Sequence, residues 1–472
     1  MDATDPRADG RAPALPAAIS IGFTGVIVAW VLAWVLHLPA IDAPAVVALP
    51  VLLVALVAAY ALALRAHPQA GRMKTALLAG LITGLVNLLI VGSVAVKQPE
   101  STDAMAEYAN RFRAEAVFII PGSILLCVIA GAIAGAVSRP GPHPRTTARD
   151  WLARCGLVTV FIYLPLITVG GAVTSTESGL AVPDAVTTYG ALSVLFPFEL
   201  MSEPRIFLEH SHRLFGTLAG LTSIVLLASV FAWDNRRLPR FLAVLLVVAV
   251  CLQGYMGIKR VAELNTPAAI AHGVFGQVVL CLAGFLAATL SNAWRTVAHH
   301  PDRDGAARRA IKVAVLMVLA LLIQLAGGAA ARHLDRMDPP SVGANHARLA
   351  HAGFSFIVMV LVVVGGALAI RLGKIGEGVR GVRNLGVFLH ALVTLQFLLG
   401  WATLGLIMTR KQPAVVPTAD QLDAAPPIRA FEALITTAHQ ANGALLILLA
   451  VVTAAWIFRL APRGRPAAPT PA

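Results

Sequence analysis

Residues 208–233 read LEHSHRLFGTLAGLTSIVLLASVFAW, and this stretch decides the fold class. From Leu214 to Trp233 it carries no charge, over about the 20 residues that a helix needs to cross a hydrocarbon core about 30 Å thick. At its start stand Glu209, His212 and Arg213, polar groups that hydrocarbon admits only when they are paired or in use. Similar apolar runs recur along the whole chain. Of its 472 residues 58% are hydrophobic and 13% charged, far from the shares of roughly a half and a quarter in soluble domains. The bilayer is therefore the solvent, and lipid leaves backbone groups no partners except those inside helices or closed barrels. The reading is an all-α integral membrane protein with about 12 transmembrane helices. They are expected near 19–36, 45–64, 76–96, 117–137, 152–172, 211–233, 241–258, 269–290, 311–331, 349–370, 385–408 and 434–458.

An even number of spans puts both termini on one side. Roughly two thirds of the 37 Lys and Arg residues fall on that side, which marks it as cytoplasmic and places Glu177, Lys259, Arg332 and Arg410 in external loops. The net charge of +13 thus serves topology, and no nucleic-acid partner is expected. The opening MDATDPRADGRAPALPA has neither a signal-peptide nor a transit-peptide pattern, so the first helix acts as its own anchor. Cys127, Cys155, Cys251 and Cys281 lie inside apolar runs without CxxC or CxxCH spacing and read as core fillers.

From about residue 151 the chain reads as two related halves of four helices. The first helix of each half ends in a glycine pair, Gly170-Gly171 and Gly327-Gly328. The third carries Gln-x-x-x-Gly, as Gln253 to Gly257 and Gln396 to Gly400. The second and fourth each begin with a histidine that has a small residue four positions on: His212 with Gly216, His272 with Gly276, His351 with Ser355, His439 with Gly443. Residues four apart share a helix face, so the small residue opens flat space one turn from the imidazole. Imidazoles facing each other across a bundle are a common way to hold a b-type heme. His333 and His346 are neighbours of His351, which is preferred for its spacing to Ser355. His390 breaks the register and reads as structural, and Asn87 reads as interhelical glue.

At LEHSHRLFGTLAGL the chain resembles the heme A synthase family of cytochrome oxidase assembly proteins, whose signature Glu-x-x-His-Arg falls on Glu209, His212 and Arg213. The preceding GGAVTSTESGLAVPD is similar to the family's external loop, and AAIAHGVFGQ, AARHLDRM, ARLAHAGFSF and TTAHQANGALLIL are similar to its later histidine segments. The likeness covers about residues 151–460. It implies an eight-helix bundle of two halves that oxidises the C8 methyl of heme O to the formyl group of heme A. On that mapping residues 151–300 hold the substrate heme between His212 and His272, and residues 301–472 hold heme b on His351 and His439. Glu209 is the catalytic carboxylate, and Arg213, Lys259, Arg260, Arg332 and Arg348 are candidates to pair with heme propionates. Many members carry a cysteine before Pro-Asp and a Trp after it, where this chain has Val182 and Ala185. Arg348 stands three residues before His351, where the first half has Glu209, so only one half has the acid. The implied location is the inner (plasma) membrane, with heme sites toward the external face. Candidate partners beside heme O and lipid are a heme O synthase, terminal oxidase subunits and a second copy of the chain. Residues 1–150 form a four-helix extension that the resemblance does not cover. A diheme electron-transfer cytochrome would need the same histidines without Glu209, and a transporter would use them as proton relays.

Overall fold

The computed structural model describes residues 14–99, 110–142, 145, 147–262, 266–297, 306–335, 342–373, 380–410 and 416–460. Residues 1–13, which hold most of the opening stretch, lie outside them. The elements are α1 Ala14–Leu36, α2 Ala45–Leu64, α3 Arg72–Ala95, α4 Ala116–Val137, α5 Ala148–Ser175, α6 Pro204–Trp233, α7 Arg237–Ala262 and α8 Thr266–Leu290. A short helix α9, Asn292–Thr296, precedes α10 Ala306–Leu334, α11 Val342–Leu372, α12 Arg380–Met408 and α13 Ala430–Leu460. Among the described residues, all of these except α9 are long and apolar enough to cross a membrane, 12 in number, as the apolar runs led one to expect. The chain is a multi-pass membrane protein.

The helices outrun their apolar cores. Helix α6 starts at Pro204, well before 211, because the proline occupies the first helical turn and Glu203 Oε2 accepts the Ile206 N–H at 2.7 Å. Hydropathy marks the stretch that lipid can touch, not the end of the hydrogen-bonded ladder. As a result Glu209 and His212 do not begin their helix; they lie up to about two turns inside it. His351 in α11 and His439 in α13 sit similarly deep.

Two compact units account for the chain, Met1–Leu264 with Val415–Arg429, and Asn265–Ala414 with Ala430–Ala472. In the first, α1 to α4 form a bundle against which α5 and α6 pack. Small residues set its tightest crossing: a Cβ at Gly80 or Gly131 would meet the carbonyl oxygens of Cys127 and Ala76 across the α3–α4 contact. Asn87 joins three helices, accepting the Trp30 indole N–H at 3.1 Å and donating to Cys127 Sγ at 3.6 Å, which is the glue role expected of it.

In the second unit Cys281, Met317, Ala320, Val358, Val362, Leu389, Val393 and Ile447 form a core between α8, α10, α11, α12 and α13. Helix α8, placed by the repeat in the segment 151–300, packs here with α10 and α13. Gly284 lets the Leu448 side chain of α13 come right up to its backbone. Arg459 donates to the carbonyls of Trp294 at 3.2 Å and Val297 at 3.1 Å, closing the end of α9. Three of the cysteines are buried as expected. Cys251 is exposed on α7, so it fills no core.

Gly131→Leu is expected to lower the apparent Tm in detergent sharply, overpacking in a tight core costing about 1–3 kcal/mol. Gly122→Leu, where a side chain meets open space, leaves Tm within a degree or so on the scale set for surface changes. Scanning fluorimetry of the two purified variants checks the contrast.

Candidate functional site

His351 has a built seat. Its ring lies against α10, where a Cβ added to Gly328 would come within 2.8 Å of Cε1. One turn earlier on α10 the Gln324 carbonyl lies 2.9 Å from Nδ1, while the Gln324 amide donates to the His351 carbonyl at 2.9 Å. A carbonyl only accepts, so Nδ1 carries the proton and the Nε2 lone pair is left for other use.

The same device seats His439 on α12. A Cβ at Gly400 would stand 3.0 Å from its Cε1. The Gln396 amide donates toward Nε2 at 3.4 Å and is oriented by Asn442, which donates to Gln396 Oε1 at 2.8 Å and to the Leu392 carbonyl at 3.0 Å. The two rings face each other at a centroid separation of 6.3 Å and an interplanar angle of 88°. Near them, the Arg410–Glu432 ion pair joins the end of α12 to the first turn of α13, and Arg348 is paired with Asp335 at 2.6 Å.

In the first unit His212 is seated on α5 in the same register. Gly170 lies 2.8 Å from its Cε1, measured from the Cβ it lacks, and the Leu166 main chain four residues earlier interacts with the ring. Gly216 has open space beside it, as a flat ligand would require. Glu209, buried, accepts Arg213 Nη2 on Oε1 at 2.9 Å and the Val182 N–H on Oε2 at 2.9 Å. Arg213 also donates to the Thr187 carbonyl at 2.7 Å. The acid is thus roped to the segment 176–203 through main-chain groups on both sides of Pro183-Asp184. That segment is itself internally tied: Asp184 Oδ2 accepts Thr187 Oγ1 at 2.8 Å and the Gly190 N–H at 2.6 Å, and the Tyr189 hydroxyl donates to the Ala181 carbonyl at 2.8 Å.

His351 and His439 are therefore brought together, as are Glu209 and Arg213. His212 belongs to the first unit and His272, on α8, to the second. His390 rests on Gly366 and lies 2.8 Å from the Val363 carbonyl, but through Nε2, the reverse of the His351 arrangement. Its seat makes it a helix clamp, in keeping with the structural reading. Gly443 does not face open space, since the Gln396 amide covers it at 3.0 Å. His210, not singled out from the sequence, is fully buried, 3.3 Å from Thr188 Oγ1 and against Phe196 at 4.9 Å between ring centroids. No spacing signal marks it, because its partners come from a distant loop. The glycine pairs and Gln-x-x-x-Gly marked a repeat; three of these glycines prove to be the seats on which histidine rings lie.

The two imidazoles differ in how they are held: His351 is tied through Nδ1 to a carbonyl, and His439 is approached at Nε2 by the Gln396 amide. Among the described residues there is no cluster of three or more His, Cys, Asp or Glu side chains that could hold a bare metal ion. Residues 153–337 match the cytochrome oxidase assembly protein family. The matched segment runs from α5 through α10 and contains Glu209, His212, Arg213 and His272. His351, His439 and helices α1 to α4 lie outside it. The similarity is thus to part of the chain, the segment 153–337. No curated protein and no solved structure matches the chain.

Proposed function

We propose that the chain is a heme A synthase, oxidising the C8 methyl of heme O to a formyl group with heme b as its resident cofactor. The observation that carries this reading is the facing pair His351 and His439. Two metal–nitrogen bonds of about 2 Å and two ring radii of about 1 Å span roughly 6 Å, which suits their 6.3 Å separation. When bound, heme b supplies an iron that exchanges single electrons, chemistry that side chains lack. The chain's own residues do the rest. Gln324 fixes the His351 ring with its proton on Nδ1, the Gln396 amide reaches the His439 ring, and Gly328 and Gly400 let the two rings lie flush against the neighbouring helices.

The substrate heme belongs with His212 in the first unit, where the open space at Gly216 leaves room for a flat macrocycle. Glu209 is the catalytic carboxylate. Oxidising a methyl group releases protons, and a carboxylate one turn from His212, buried and held on both oxygens, takes or relays them. Arg213 balances its charge. The distribution of Lys and Arg supports a cell inner membrane location with both termini cytoplasmic and the histidine ends of the helices external. A heme O synthase and oxidase subunits are the partners this activity calls for, and a homo-oligomer is compatible with it.

Coexpression with a heme O source, purification in detergent and identification of the extracted hemes by mass test the reading. Heme b together with heme A or a C8-hydroxylated intermediate is expected; heme b alone means an electron-transfer cytochrome, and no heme sinks both. Glu209→Gln is expected to keep the heme b spectrum and to cut heme A formation by about 10²–10⁴-fold, the usual span for removing a general base or acid.

Gly328→Val or Gly400→Val is expected to push the imidazole off its seat and abolish most of the heme b absorbance per mole of protein. Gly353→Ala, whose added methyl meets open space, leaves that absorbance unchanged. Reduced-minus-oxidised spectra of the three variants decide it.

A further inference from the structure

Helices α1 and α3 and the chain that joins α3 to α4 lie outside the family match, yet they pack on the very segment that holds Glu209. Gln98 Oε1 accepts the Glu199 N–H at 3.1 Å, with its amide fixed by donation to the carbonyls of Ser93 at 3.0 Å and Val96 at 2.9 Å. Asn110 Oδ1 accepts the Leu192 N–H at 3.0 Å. Asn110 is presented by a short ladder in which Lys97 N–H donates to Arg111 at 2.8 Å and Arg113 N–H to Ala95 at 3.1 Å. Its left-handed backbone, φ 60°, is one that Asn, Asp and Gly tolerate. Trp34 stacks on Phe207 at 6.3 Å, His37 stands edge-on to Phe198 at 5.0 Å, and Gly92 backs directly onto the Val194 carbonyl.

These contacts converge. Leu192 adjoins the bridge in which Thr188 and Ala191 exchange main-chain hydrogen bonds at 2.9 and 3.0 Å; Thr187, next to it, accepts Arg213, and Val182 donates to Glu209. The geometry points to α1, α3 and the α3–α4 connection as a brace, with Asn110 and Gln98 as positioning residues that hold the 181–199 segment so that the Val182 N–H and the Arg213 guanidinium meet Glu209. This rests on the proposed function only in giving Glu209 its catalytic task; the bracing itself is a matter of local stability. Without the brace the loop would depend on its own hydrogen bonds and would open more often, taking with it one of the two donors that orient the carboxylate.

The experiment compares full-length wild type, Asn110→Gly, which keeps the backbone freedom and loses the acceptor, and Asn110→Asp, which keeps both. Residue-resolved hydrogen exchange is read at Val182 and Leu192, alongside the rate of heme A formation and the heme b spectrum. Asn110→Gly should speed exchange at both amides about tenfold, the scale of one lost hydrogen bond. It should also lower kcat for heme O severalfold while KM and heme b stay as in wild type. Asn110→Asp should restore both. Unchanged exchange at Val182, or faster exchange with unchanged kcat, overturns the proposal. If wild type makes no heme A the proposed function fails, and exchange at Val182 still decides whether the brace holds the Glu209 contact. Should Asn110→Gly not fold, His37→Ala, which removes the contact with Phe198, gives the same readouts.

Discussion

An imidazole placed in hydrocarbon brings two nitrogens and a flat face, and the bilayer satisfies none of them. The neighbouring helix answers the flat face by one arrangement used again and again, a glycine on which the ring rests: Gly170 under His212, Gly328 under His351, Gly400 under His439, with the Gln324 carbonyl opposite Nδ1 of His351. Much else follows from that constraint. The glycines bring helices close, the close helices bury the core, and the rings of His351 and His439 stand 6.3 Å apart between centroids.

The carboxylate obeys the same logic by a different route. Glu209 sits within a helix that begins earlier than lipid exposure demands, so its oxygens reach back to a loop instead of down into the bundle. Charge is neutralised one turn away by Arg213, and the second oxygen takes a main-chain N–H. In the second unit the acids fall elsewhere, with Asp335 on Arg348 and Glu432 on Arg410. Each of those carboxylates is occupied by a guanidinium, and neither lies one turn before a paired histidine. The two halves share their seats for rings but not their acid.

Much of this was legible in the residue order, and the divide has a physical basis. Span number follows from local composition, so apolar runs disclosed all 12 crossings. Histidines in repeat register pointed to His351 and His439, whose rings do meet, because helix periodicity is also local. Where helices begin was misjudged at α6, since Glu203 and Pro204 act through hydrogen bonding and hydropathy is blind to it. His210, the Asn110 and Gln98 contacts, and the allegiance of α8 all depend on residues far apart in the chain. No window along the sequence contains both partners.

Residues 416–429 connect α12 to α13, both in the second unit, yet they count among the residues of the first. Leu422 packs with Phe196, Phe207 and Val182, and the Pro426 carbonyl accepts Arg205 Nη2 at 2.6 Å. The chain therefore returns late to finish something it started early. A ribosome will have released all but the last of the helices before this piece emerges, and until then the surroundings of Val182 lack one of their walls. Completion of the packing around Val182, whose N–H Glu209 accepts, is thereby tied to nearly full synthesis of the polypeptide, and a truncated product ending before residue 416 is left without it.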